Sequence, residues 1–123
     1  MATARQLDRK YKQNIPQEVH EMVQRLVEAF QPEQIYLFGS VARGDMSPDS
    51  DYDFMVIVAE SQLTQYRRSQ HAHRVLSGFS HAKDVLVWTR DEFDRRVHLP
   101  ATLPATILRE GMLLYDDGSA KDR

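Results

Sequence analysis

Residues 35 to 58 read IYLFGSVARGDMSPDSDYDFMVIV, and the way this stretch changes character decides the fold. An apolar run from Ile35 to Phe38 stops at Gly39-Ser40. A polar loop from Gly44 to Ser50, with a glycine and a proline in it, then leads into a second apolar run opened by Asp51 and Asp53. The order is strand, tight turn, loop, and a strand headed by two acids. Gly39 lets the backbone turn sharply and lets another group come close, and Ser40 is a favoured cap for the short turn Val41-Ala42-Arg43. Free backbone N–H groups at such a start attract anions. Arg43 adds a positive charge beside them, and Gly44 ends the turn. A Gly-Ser pair by itself also fits an ordinary strand-to-helix connection.

The acids weigh against the ordinary explanation. Side chains alternate along a strand, so Asp51 and Asp53 share one face while Tyr52, Phe54, Val56 and Val58 take the other. Two carboxylates held a few ångströms apart repel by about 1 to 4 kcal/mol, depending on screening. Either one of them is protonated or a divalent cation lies between them, and hard oxygen ligands suit Mg²⁺, which also takes phosphate oxygens. Two solvated acids at a strand end are the plainer alternative.

Outward from this centre, Val19, Met22, Val23, Leu26, Val27 and Phe30 recur at three- and four-residue steps, which predicts an amphipathic helix from Pro16 to Phe30. Pro16 suits its first position. Residues 1–14 are polar, carry Arg5, Arg9, Lys10 and Lys12 with a single acid, and read as an N-terminal tail or a basic arm. Downstream, the strand from Tyr52 to Ala59 is apolar on both faces after its acids and should be central. Ser61 can cap a long helix to about Phe79, with Leu63, Tyr66, Leu76 and Phe79 facing inward. Arg67, Arg68, His71 and Arg74 would form its cationic outer face, either solvated or contacting a partner. His71 and His73 diverge on that helix, so with His81 they make no convincing metal set.

A third strand, Asp84 to Thr89, opens with an acid as the second does, and puts it at the same end of the sheet if the two strands are neighbours. Trp88 alternates with Leu86 and reads as core. Thr89-Arg90-Asp91-Glu92 has the form of a capping box for a helix to about His98. Pro100 and Pro104 bracket a turn, a last helix from Ala105 to Glu110 ends at Gly111, and Met112 to Tyr115 form a final short strand before a polar tail, 116–123. His98 reads as structural or solvated.

The 123 residues suffice for one domain and one core. There is no cysteine, which fits a reducing cytoplasm and removes disulfides and thiolate metal sites. No apolar run reaches membrane-spanning length. A formal charge of −2 argues against broad or direct nucleic-acid binding.

Gly39-Ser40, ten intervening residues, then Asp51-Tyr52-Asp53 resembles the GSx10DxD signature of the DNA polymerase β-like nucleotidyltransferase superfamily. GSVARG followed by SDYD looks like its small branch, the minimal nucleotidyltransferases (MNT). The resemblance covers about Ile15 to Tyr115, so residues 15–115 are expected to be the nucleotidyltransferase domain. It implies an α/β (α+β) fold in which helices pack on a small mixed β-sheet. It also implies an Mg²⁺-dependent transfer of AMP from ATP, with two ions held by Asp51, Asp53 and a third acid for which Asp84 is the match. Lys83, just before it, departs from the family's commoner apolar residue. Gly39, Ser40 and Arg43 would hold the nucleotide phosphates. In the MNT branch the expected partner is a HEPN-family ribonuclease toxin, AMP passing to one of its tyrosines and the MNT chain acting as antitoxin. Few residues follow Asp84, so the acceptor site is expected to come from such a second protein. A small hydroxylated acceptor such as an antibiotic, and a toxin-masking module without catalysis, are the other classes left open.

Overall fold

The computed structural model describes residues 15–39 and 51–119. Among them are four helices, α1 (Gln17–Phe30), α2 (Gln65–Val75), α3 (Arg90–Val97) and α4 (Leu103–Glu110), and four strands, β1 (Gln34–Phe38), β2 (Tyr52–Val58), β3 (Lys83–Thr89) and β4 (Met112–Asp116). The strands make one sheet in the order β3-β2-β1-β4. β2 runs parallel to β3 and antiparallel to β1, and β1 runs antiparallel to β4. This is the small mixed sheet with packed helices expected from the sequence. The 1–14 tail, the Gly44–Ser50 loop and residues 120–123 lie outside the described residues.

β2 is apolar on both faces because both are covered. Phe54, Val56 and Val58 meet Val19, Met22 and Leu26 of α1 and Ala72 of α2, while Met55 and Ile57 meet Phe93 of α3 and Ile107 of α4. Each fully buried side chain of this size contributes about 1.5 to 3 kcal/mol. Trp88 and Leu86 pack against the second of these clusters, as alternation required. No described helix is long and apolar enough to cross a membrane.

α2 departs from its expected bounds. It begins after Thr64, whose hydroxyl accepts from the Arg67 N–H, whereas the Ser61 hydroxyl only accepts from the Leu63 N–H. It ends at Val75 because the chain turns through Gly78 at φ +102°. Leu63 and Tyr66 are exposed, not inward. Arg68 takes an inward place on the same stripe as Ala72 and Leu76 and is buried, so it does not belong to the cationic outer face. Its guanidinium donates to the Val87 carbonyl at 2.7 Å and to both carboxylate oxygens of Glu92 at 2.8 and 3.1 Å.

Glu92 closes the capping box, Thr89 accepting from the Glu92 N–H and Glu92 from the Thr89 N–H. Its carboxyl is held down at about 2 by the Arg68 hydrogen bond, with burial opposing and the Thr89 N–H and the Arg68 charge adding to it. Arg90 is also buried. It donates to Glu33 at 2.9 Å, Gln34 at 2.6 Å and Asp94 at 3.2 Å, and Gln34 donates on to Asp116 at 3.4 Å. Both arginines thus work at the end of the sheet where β2 and β3 finish and β1 begins. α4 starts at Leu103, capped by Thr102, so Pro104 lies inside its first turn and does not bracket a turn. β4 extends one residue past Tyr115 to Asp116, which is buried.

Candidate active site

At the opposite end of the sheet β1 finishes where β2 and β3 begin. Phe38 pairs with Asp53 across the antiparallel ladder, and Asp53 pairs with Asp84 across the parallel one. In-register residues on adjacent strands lie about 5 Å apart and share a face. For Asp53 and Asp84 it is the face that α3 and α4 cover further along. Asp51 is exposed and lies one residue before β2 starts.

Gly39 follows β1 with φ +80°, and a Cβ built on it would collide with the Asp53 carboxylate oxygen Oδ2. Only glycine fits there, for the backbone angle and for the space. The turn and the acid pair, ten residues and more apart in sequence, are thus one local structure. Ser40 and Arg43 lie outside the described residues.

Asp84 is exposed, with His73 Nε2 at 3.8 Å from its Oδ1. The neighbouring Lys83 turns its charge the other way, its Nζ donating to the carbonyls of Phe79 at 2.8 Å and His81 at 3.3 Å. The lysine that breaks the apolar pattern therefore ties down the approach to β3. His71 packs on the Phe30 ring at 4.9 Å. The three histidines thus have separate neighbours.

Behind β2, on the far side from Asp53, Tyr52 is buried and its hydroxyl donates to Glu18 Oε1 at 2.6 Å. The His81 ring stacks on it at 3.9 Å and 12°, with His81 Nδ1 3.6 Å from the same carboxylate. Burial first, then the hydrogen bond to Glu18 and its charge, push the Tyr52 phenol well above its ordinary range, so it stays a donor. Sequence reasoning assigned no part to Glu18, His81 or the tyrosine hydroxyl. The available signal was parity: a residue between two acids on one face must point to the other.

Among the described residues no three acids or histidines converge into a ready-made metal cage. Magnesium does not require one. It is held by one or two carboxylates together with phosphate oxygens and waters, and the Asp53–Asp84 pair has the right donors on one face, with the Gly39 turn packed directly against the Asp53 carboxylate.

Residues 19–111 match the family described as Nucleotidyltransferase domain. Among solved structures, a candidate nucleotidyltransferase from Sulfolobus solfataricus aligns with a TM-score of 0.58 and 23% identity over 82% of this chain and 79% of that one. A toxin-antitoxin structure with AMP-PNP aligns with a TM-score of 0.49 and 20% identity over 83% and 75%. At such identities the first likeness is one of fold alone, and the second, looser one adds no argument. No curated protein matches significantly.

Proposed function

Since the chain belongs to the nucleotidyltransferase domain family, we propose that it transfers AMP from ATP to a hydroxyl of a partner protein, with Asp51, Asp53 and Asp84 as its catalytic acids. The observation that carries the reading is the in-register pairing of Asp53 with Asp84 beside a glycine turn that only Gly39 can make. Two magnesium ions, when bound, would neutralise phosphate charge and hold the attacking and leaving oxygens in line.

The chain's own residues do the rest. Asp51 and Asp53 would hold the ions, and Asp84 would complete one site and take, or orient the base that takes, the acceptor proton. Gly39 and Ser40 hold the β- and γ-phosphates through N–H and hydroxyl groups, and Arg43 adds a charge. The acceptor oxygen bonds to the α-phosphorus, the bond to the bridging oxygen breaks, and pyrophosphate leaves. The domain runs from Ile15 to the end of β4 at Asp116, and 1–14 and 117–123 flank it. The likeness of GSVARG and SDYD to the minimal branch supports a HEPN-family toxin as partner, one of its tyrosines as acceptor, and an antitoxin role.

The test is transfer of label from ATP labelled at the α-phosphate, with Mg²⁺, in host lysate and with the neighbouring gene's product. Label on one discrete protein with wild type and none with Asp53→Ala is the expected outcome. Binding of that product by both proteins with label on neither would overturn protein nucleotidylation.

A further inference from the structure

Tyr52 separates the two acids of Asp51-Tyr52-Asp53, and what its side chain touches lies behind the sheet. Strand geometry couples the three directions: a twist of the backbone that swings Tyr52 one way swings both carboxylates the other. Tyr52 is also the first residue of β2, so Asp51 takes its bearing from it.

Three parts of the fold close on this one residue. Its N–H donates to the Ala82 carbonyl at 3.0 Å, on the approach to β3. Its hydroxyl reaches Glu18 in the first turn of α1 at 2.6 Å. Its ring lies against His81, next to Ala82, and the His81 carbonyl is itself held by Lys83, the residue before Asp84. Packing alone does not call for the polar contact, because a phenylalanine would fill the same space. A hydrogen bond is directional where apolar contacts can slide, so the acceptor at Glu18 sets where the ring sits.

We propose that Tyr52, anchored by Glu18 and His81, is a positioning residue that fixes how Asp51 and Asp53 leave the strand and how they stand relative to Asp84. The inference rests on the reading of those acids as metal ligands. Its failure is separable from the failure of that reading by measuring metal binding directly.

The experiment titrates the full chain with Mn²⁺, followed by the loss of the free-ion paramagnetic resonance signal, alongside thermal unfolding. The set is wild type, Asp53→Asn, Tyr52→Phe, Glu18→Leu and Glu18→Gln. Asp53→Asn should lose the wild-type binding. Tyr52→Phe and Glu18→Leu should weaken it by about tenfold, the scale of losing a partner behind a metal ligand, and both should still unfold cooperatively. Glu18→Gln, which keeps an acceptor for the phenol but not the charge, should restore wild-type affinity. Wild-type affinity in Tyr52→Phe and Glu18→Leu, with Asp53→Asn defective, would overturn the positioning role and leave the metal reading intact. Weakening that Glu18→Gln does not rescue would reduce the contact to a structural one. A wild type whose Mn²⁺ binding is absent or indifferent to Asp53→Asn would remove both ideas together. If Tyr52→Phe does not fold, the two Glu18 variants decide, since both lack the charge and only glutamine keeps an acceptor for the phenol.

Discussion

Replacing Gly39 by alanine would put two penalties on one methyl group. A positive φ costs a non-glycine residue about 1 to 2 kcal/mol, and the new Cβ would land on the Asp53 carboxylate. Gly78 offers the control, with φ +102° and nothing within 4 Å of a built Cβ. Gly78→Ala should lose roughly 1 to 2 kcal/mol in urea unfolding and Gly39→Ala at least as much, but only Gly39→Ala should also lose label transfer. Equal activities would mean that Asp53 need not stay where it is. The glycine turn and the acids were legible in the sequence because each interrupts an apolar run, where a polar or flexible residue has to be accounted for. The partners of Tyr52 were not, because Glu18 and His81 reach it from other elements and neither breaks a local pattern.

The helices show a different limit. α1 and α3 read correctly from periodicity and a capping box, since those signals are complete within a few residues. α2 did not, and the reason is Arg68: its position on the Ala72–Leu76 stripe marks it as inward, but a guanidinium goes inward only if something distant accepts its hydrogen bonds. Glu92 and the Val87 carbonyl do so. That pair also makes stability depend on pH. The Glu92 carboxyl, ordinarily near 4.5, is held at about 2 in the folded chain. A depressed value stabilises the folded state fully above the unfolded value and loses that contribution as pH falls toward the folded one. Glu92→Gln keeps the capping box and loses the charge, so its deficit against wild type should be about 2 kcal/mol at pH 7 and shrink as pH drops from about 5 to 2. Urea midpoints at pH 7 and pH 3 measure it, and a deficit that does not change with pH would rule out the charge as its source.

For the molecule as a whole, the sheet has an acidic end and an end tied by buried arginines. Arg90 joins the start of β1, the start of α3 and, through Gln34, the end of β4. Arg90→Leu would leave the Glu33 carboxylate buried at 5% exposure, and breaking a buried pair in this way costs roughly 3 to 5 kcal/mol. Its melting temperature should fall by about 10 °C or more, while transfer measured in the cold should stay near the wild-type rate, because the acids lie at the other end. A matching loss of cold activity would show that the two ends are coupled. The strand order was legible only in part: an acid at the head of each of two apolar runs suggests neighbours, yet pairing is long-range and no short stretch states it. That pairing also governs timing. Parallel strands cannot be joined by a hairpin, and contacts across a crossover form only after the loop-closure entropy has been met. A chain emerging from the ribosome carries Gly39 and Asp53 well before β3 has been made, and Asp84 comes to lie beside Asp53 only when α2 has folded back and β3 has docked. If the acids act together as proposed, a half-made chain is silent.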